Sequence, residues 1–442
     1  MIAYSNNIET GGAFDVIVAG CGSAGASAAI AAARAGAKTL LLEKLPFAGG
    51  ISTAVLDTFY GYYTPGKNSK KIVSGIADEV VKGLQQYNAC FERPNTFGAG
   101  TGITYHPEYL KIVWEQLIIR AGCELLLNAW VQDVVQKDGY ITGLIVATKQ
   151  GLSYFTAKQF IDTTGDADLV YLAGFDYEMA GALAPAQTLT TTFKMVNVDM
   201  EKRKTISKAE FHERMKKAAD SGKYRLPRRE GSDHATPVTG MTATIMTRLT
   251  SCRTVNDIII NATDPGLLSA SETEGRLQAL EYVRFLKDNI PGYKNAELAT
   301  FGVQIGVRET RRIYGAYRLT AEDVLSAKQF EGQIGLCGAP MEDHHDGADT
   351  KWQYLPEGRT VGIPYRTLVP RNTENLLVAG RCFSASHEAH SSVRSMGQCM
   401  AMGQAAGVAA ALCVKEHQAP IALDIKMLQH QLIQQGAIIS EP

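Results

Sequence analysis

The sequence predicts an α/β protein whose nucleotide-binding sheet takes strands from both ends of the chain and is interrupted by an α+β insertion. Three observations predict it. Residues 14–44, FDVIVAGCGSAGASAAIAAARAGAKTLLLEK, read as strand, glycine turn, alanine-rich helix and a second strand closing on an acid. Residues 182–350 carry their own strands and charged helices but no nucleotide motif. In residues 351–442 the first pattern returns, with a short apolar run that ends in glycine and an alanine-rich helix behind it. A sheet split by an insertion must recover its last strand and helix from the far end of the chain, so units of 1–181, 182–350 and 351–442 are expected.

In the first unit the apolar run Val16–Ala19 is the strand, and Gly20, Gly22 and Gly25 form G-x-G-x-x-G. Gly20 permits the tight turn, Gly22 lets backbone approach a pyrophosphate, and Gly25 lets the helix pack on the strand. Ser23 and Ala24 open that helix, whose free N–H groups face the phosphates. Glu43, followed by Lys44, ends the second strand, where it can accept from both ribose hydroxyls and repel a 2′-phosphate. These residues alone do not separate FAD from NAD. The following KLPFAGGISTAVLDTFYGYYTPG is rich in glycine and small hydroxyl residues, so backbone can lie close to a flat ligand. Residues 68–87 and Pro107–Ala121 read as helices. Glu124–Val135, Tyr140–Ala147 and Leu152–Phe160 alternate as a meander, with a turn at Lys137-Asp138-Gly139. QFIDTTGDADL then reads as a strand, a glycine turn and a helix start.

In the insertion, TLTTTFKMVNVD alternates as a strand, Ser207–Ser221 and Ser269–Asn289 read as helices, and KYRLPRREGSDHATP reads as a polar basic loop. In the last unit Asn375–Gly380 reads as a buried strand and Met396–Leu412 as a helix. A final helix runs from the capping Asp424 to about Gln435.

The chain has 442 residues, 45% hydrophobic and 20% charged, with a formal net charge of −1. Near-neutral charge argues against nucleic acid or an anionic membrane as the partner. Residues 1–13 lack a basic start plus apolar stretch, and runs such as Ala24–Ala33 are short for a bilayer span. None of the eight cysteines makes a C-x-x-C pair, as expected of buried thiols in a reducing compartment. These features point to a soluble, cytoplasmic protein. MEDHHDG at 341–347 resembles a metal motif in composition only, because neighbours on an extended segment point apart; no metal is expected, though His344 or His345 could edge a pocket.

Three segments carry a family resemblance: the N-terminal βαβ unit with EKLPFAGGIST, the middle FIDTTGDADL, and NLLVAGRCFSASHEAHSSVRSMGQCMAMGQAAG near the C-terminus. Together they resemble the FAD-dependent oxidoreductase superfamily related to glutathione reductase, p-hydroxybenzoate hydroxylase and fumarate reductase. The phrase GVRETRRIYGAYRLTAEDVL is most similar to a bacterial subgroup known only as FAD-dependent oxidoreductases. The resemblance implies a Rossmann-like FAD-binding domain of the glutathione-reductase type, interrupted by a substrate-capping domain. It implies FAD rather than NAD, with Gly20, Gly22 and Gly25 at the pyrophosphate and Glu43 at the ribose. Gly49, Gly50, Ile51 and Ser52 would lie along the ribityl chain and isoalloxazine, and the Val131 backbone at the adenine edge. Thr164, Gly165 and Asp166 stand for the family's A-T-G-D turn, with Thr163 in place of Ala. Gly380-Arg381 stands at a turn where many relatives carry an acid. The helix start from Gly397 to Met402 would face the pyrimidine end of the flavin. Covalent relatives place His after the Gly-Gly turn; here Ile51-Ser52-Thr53 implies non-covalent FAD.

Flavin supplies the hydride chemistry, so the protein must supply orientation, charge and a proton carrier. HEAHSSVR, residues 387–394, packs two His, a Glu and an Arg beside the flavin turn. His387 or His390 as general base, with Arg394 as anion clamp, is the expected pairing; His390 and Arg394 share the spacing of the H-G-x-N-R segment of fumarate reductases. Arg308, Arg311 and Arg312 could bind an acid but also suit a salt-bridged surface, and Asp233-His234 with Arg228-Arg229 could form a lid. The expected function is hydride transfer between a small organic substrate and flavin N5, at a C–H beside hydroxyl or carbonyl, or at CH–CH/C=C. A monooxygenase using NAD(P)H and O₂, and a flavoprotein subunit of a larger dehydrogenase, are the alternatives. The electron acceptor is unknown at this stage, and a homo-oligomer is compatible with every reading.

Overall fold

A computed structural model describes residues 8–95, 97–345 and 347–441. The first seven residues of the leader reading and Asp346 of MEDHHDG lie outside the described residues.

The parallel core comprises β1 (Glu9–Ala19), β2 (Thr39–Glu43), β3 (Glu124–Leu127), the long β6 (Gly151–Asp162) and β13 (Leu376–Val378), in the order β3-β2-β1-β6-β13. Register aligns Val18 with Leu41, Ala19 with Asp162, and Leu377 with Ile161. β6 does two jobs. Its C-terminal half pairs with β13, while its N-terminal half pairs antiparallel with β5 (Tyr140–Thr148), which pairs in turn with β4 (Trp130–Lys137). Residues 124–127, expected in the meander, instead extend the parallel sheet beside β2. Because the strands run the same way, Ala19, Glu43, Asp162 and Val378 all finish at one edge, and the turns at Gly20, Gly165 and Gly380 gather there.

Two helices cover this sheet. α1 (Ser23–Arg34) follows the first glycine turn, and α7 (Met396–Glu416) comes from the last unit. They meet at backbone contact: a Cβ on Gly403 would lie 2.0 Å from the Ala24 carbonyl oxygen, and one on Gly407 would lie 2.1 Å from that of Ala28. Among the described residues α7 is the one helix long and apolar enough to cross a membrane, with mean hydropathy 1.3, but 89% of that window is buried inside the protein. Its apolar surface is consumed by the core.

Several boundaries move. The helix expected over 68–87 is α2 (Ile76–Gln86); Ile72 and Val73 before it are buried in extended backbone that ends at Gly75, φ 76°. α3 (Pro107–Arg120) begins where His106 caps Glu108 N–H. The insertion holds a four-stranded antiparallel sheet, β8-β9-β7-β10, from β7 (Phe193–Val196), β8 (Ser232–Ala235), β9 (Thr242–Ile245) and β10 (Glu297–Phe301). The predicted basic loop therefore contains a strand, β8. Helices α4 (Lys208–Asp220) and α5 (Pro265–Asn289) pack on this sheet through Phe211, Met215, Tyr282 and Phe285. α5 starts four residues before the expected Ser269, where Asp264 caps Leu267 N–H. Residues before 351 already rejoin the first core: Leu319, Ile334 and Leu336 of β11 (Gln333–Cys337), and Met341 pack in the cluster that holds α1 and α7. HEAHSSVR is itself a short helix, α6 (His387–Val393), and α8 (Ile425–Gln434) follows its Asp424 cap.

Candidate active site

A cavity of about 950 Å³ opens at the edge where the parallel strands end. Gly20, Gly22, Ser23, Ala24, Glu43, Lys44, Gly50, Ile51 and Val131 line it, as do Thr164, Gly165, Asp166, Gly380 and Arg381. Gly25, Gly49, Ser52, Gly397 and Met402 lie behind the lining. Each of these has a structural task there. A Cβ on Gly25 would strike the Gly20 carbonyl oxygen at 1.7 Å, and one on Gly397 would sit 3.0 Å from Gly61. Gly49 N–H donates to Cys21 O, Ser52 Oγ donates to Gly49 O, and Met402 is buried in the α7 core.

The residues fit a dinucleotide. Gly22, the N-cap of α1, has no side-chain cap, and neither does Ser395, the N-cap of α7; both line the cavity, so two helix N-termini point their free donors into it. A Cβ on Gly22 would meet no protein atom within 4 Å, which leaves room for a ligand against the backbone. Glu43 is held by Cys21 N–H at 2.7 Å and Leu45 N–H at 2.9 Å; burial raises its pKa against those bonds. Asp162 anchors the neighbouring turn by accepting from Thr164, Leu169 and Val170, and burial pushes its carboxyl up to about 6. Arg381 donates to Gly165 O at 2.7 Å and to Asp166 Oδ1 at 2.5 Å, tying the middle and C-terminal turns together.

Beyond this cradle the cavity continues between the two halves of the protein, where Arg228, Arg308, Arg394, Glu342 and His344 gather. Arg308 donates to Thr188 O at 2.6 Å, and Arg394 to Gln187 Oε1 at 2.9 Å. The buried Nε atoms of Arg228 and Arg394 have no partner among the described residues. Desolvation, then the charges of Arg394 and Arg228, hold the Arg308 pKa well below its ordinary value. Desolvation alone would raise Glu342, but His344, Arg394 and Arg308 outweigh it and hold its carboxyl at about 2. Burial, then the charge of Arg308, pushes His344 down to about 3, although its Nε2 lies 2.9 Å from Glu342. At neutral pH the group is three guanidinium cations, one carboxylate and a neutral imidazole.

The sequence-predicted catalytic residues separate. Arg394 lines the cavity; His387 and His390 do not. His387 Nδ1 lies 3.0 Å from Glu309, which also pairs with the buried Arg312, and His390 Nε2 donates to Arg381 O at 2.7 Å. Burial and the Arg312 charge depress both imidazoles. The physical reason is helical geometry: α6 turns its imidazoles inward behind the flavin turn, and only its C-cap, Arg394, reaches the cavity. The arginine triplet also divides. Arg308 faces the cavity, Arg311 pairs with Asp168 at 3.0 Å, and Arg312, 1% exposed, pairs with Glu178 at 2.5 Å. The expected lid is not a loop: Asp233 is held by Arg203 and Tyr293, and His234 lies 2.8 Å from Asp57 of the first unit. Tyr60 and Arg93 line the cavity as well, and no motif or spacing marks them in the sequence; Glu342 lies within MEDHHDG without the spacing of a site residue. Among the described residues no cluster could hold a metal, and all eight cysteines are free.

The chain matches the family of FAD dependent oxidoreductases over residues 15–432, and it belongs to that family. It is an FAD-dependent oxidoreductase, and FAD is its cofactor. It is 30% identical over 185 residues to the thiamine thiazole synthase of Sulfolobus acidocaldarius, a match covering 39% of this chain and 63% of that protein. It is 27% identical over 214 residues to the tRNA uridine 5-carboxymethylaminomethyl modification enzyme MnmG of Alkaliphilus metalliredigens, covering 46% and 32%. These matches span less than two thirds of each relative's own length. The solved p-nitrophenol 4-monooxygenase PnpA of Pseudomonas putida overlays with a TM-score of 0.48 at 12% identity, covering 96% of this chain and 84% of that one.

Proposed function

We propose that this chain transfers a hydride between flavin N5 and a small organic acid, at a C–H beside hydroxyl or carbonyl, or at CH–CH/C=C. The observation that carries the reading is the convergence of Arg228, Arg308 and Arg394 on one carboxylate, with two Nε–H donors unpartnered. Buried cations lacking a counter-charge are costly, so the site favours an anionic ligand. Bound FAD supplies the two-electron acceptor at one wall. Arg308 and Arg394 grip the substrate carboxylate and fix its orientation. Glu342 is the proton acceptor: as a hydroxy acid is oxidised, hydride leaves carbon and the hydroxyl proton passes to the Glu342 carboxylate. Without a bound anion Glu342 is a weak base because His344, then Arg394 and Arg308, hold its carboxylate. A substrate carboxylate takes over the two arginines and raises the Glu342 pKa toward one suited to proton transfer. His344 holds Glu342 in place through Nε2, with Thr350 Oγ1 3.4 Å from its Nδ1. Electrons then leave to an external acceptor.

The test is anaerobic titration of FAD-loaded protein with hydroxy acids, polyols, glycosides and NAD(P)H. Hydroxy acids are expected to bleach the visible flavin band, and Arg308→Gln to weaken that response about tenfold or more, since hydrogen bonds to charged groups contribute about 1.5–3 kcal/mol. Bleaching by polyols or NAD(P)H alone would overturn the reading.

A further inference from the structure

The arginine end accounts for one part of the cavity. The mouth has a different chemistry. Phe97, Trp352 and Tyr354 line it and remain 68%, 38% and 47% exposed. Aromatic side chains of this size normally bury most of their surface, so three at one opening is an apolar patch held open. Their placement is built rather than incidental. Trp352 and Tyr354 are two residues apart at the strand β12 (Lys351–Gln353), which puts both rings on one face, with centroids 6.4 Å apart and planes inclined by 20°. The Gly98 N–H donates to Tyr354 Oη at 3.1 Å. At Gly98, φ 57°, a Cβ would sit only 3.1 Å from the Trp352 ring, so the missing side chain lets the indole lie over the backbone. Gly98, next to Phe97, is thereby fastened to the strand that carries the other two rings.

The polar groups around this platform serve to hold it in place. Asn95 donates through its amide to Phe97 O at 2.9 Å and accepts from Phe97 N–H at 3.1 Å, and the Tyr354 hydroxyl is engaged by Gly98. Deeper in, Arg93 donates to the Tyr60 hydroxyl and lies over the Tyr60 ring. A flat apolar ring needs only the faces.

We propose that the substrate is a two-part acid, with its anionic group at the arginine end and an aromatic ring on the Phe97–Trp352–Tyr354 platform. This rests on the anionic-substrate reading above. Trp352 and Tyr354 are stacked and tied to Gly98 without a ligand, so a ring placed on them gains contact at little ordering cost.

The test compares propionate with 3-phenylpropionate, two ligands of equal charge, by titration calorimetry on FAD-loaded protein. The phenyl acid is expected to bind about tenfold tighter or more, the equivalent of about 1.4 kcal/mol. Trp352→Ala is expected to erase most of that gap and leave propionate unchanged, and Phe97→Ala, a change at an exposed position, to narrow it. Equal affinities for the two acids, or a gap that survives both substitutions, would overturn the proposal. Arg308→Gln separates the two ideas. It should weaken both acids alike; if it weakens neither, the anionic reading fails by itself, whatever Trp352 does.

Discussion

At the scale of the residue, the contrast between His387 and Arg394 is instructive. Both lie in HEAHSSVR, yet one faces a buried cluster and the other the cavity. Glu309, fully buried, organises that cluster: it pairs with Arg312, faces His387, and accepts from Gln187 N–H at 3.2 Å. The Gln187 side chain in turn accepts from Arg394. Glu309 is therefore a positioning residue for the cavity arginine. Glu309→Gln is expected to lower stability by about 3–5 kcal/mol, the cost of breaking a buried ion pair, and to weaken propionate binding several-fold in the protein that still folds. Denaturant titration and calorimetry read these separately. His387→Gln keeps a polar group against Glu309 and should leave propionate affinity within about twofold. A large loss of affinity in a folded His387→Gln protein would show that the site depends on the imidazole and not on Glu309 alone.

At the scale of the element, the glycine turns were legible because each carries a local conformational demand. Gly20 adopts φ 96° and Gly380 φ 93°, values that a side chain resists, so the need is written into the residue type. The start of α2 was not legible, since Ile72 and Val73 continue the apolar spacing of the helix although their backbone is not helical and the helix begins only after Gly75, φ 76°. β3 was misplaced for a related reason: ELLL suits a buried parallel strand as well as a meander strand, and only its partner decides. The glycines also separate fold from cofactor. Gly403→Ala would press a methyl into the Ala24 carbonyl and is expected to cost about 1–3 kcal/mol of FAD-free stability. Gly22, at φ −73°, faces open space. Gly22→Ala should leave FAD-free stability within about 0.5 kcal/mol yet lower FAD affinity, because its methyl fills the ligand's side of the turn. Thermal unfolding without FAD, followed by FAD titration of the same proteins, checks both.

At the scale of the whole molecule, acid should be the weakness. His344, His387 and His390 are all held neutral, with His344 pushed to about 3. An unfolded imidazole near its usual value, about 6.5, takes up a proton that the folded one refuses. Stability therefore falls as pH drops below that value. Asp162 has the opposite sign: raised to about 6, it adds stability below the usual carboxyl range that is lost as pH rises through 6. With His106 and His212 five imidazoles are depressed, and with Glu43 and Asp168 three carboxyls are raised. The imidazoles outnumber the carboxyls, so urea titrations across pH should show a plateau above about 6.5 and a decline below it. His344→Gln should remove about one proton from that slope. The gathering of Arg228, Arg308, Arg394 and Glu342 was hidden at this scale as well. They come from four separate stretches of chain, and only the closure of the insertion onto the parallel sheet brings them together. Arg308 stood out in the sequence by its company, whereas Glu342 carried no pattern that spacing could reveal.

The backbone contact between α1 and α7 bears on how the molecule comes into being. α1, which ends at Arg34, meets its partner only once Met396–Glu416 has emerged, so until then a growing chain carries the G-x-G-x-x-G turn without the second helix N-terminus. The insertion, whose Phe193–Ala296 core is contiguous in sequence, does not have to wait. Such long-range closure is slow compared with local folding. The expectation is a stage with the insertion packed and the sheet still open, with FAD held only after α7 has docked; limited proteolysis of refolding protein, with FAD added early or late, checks it.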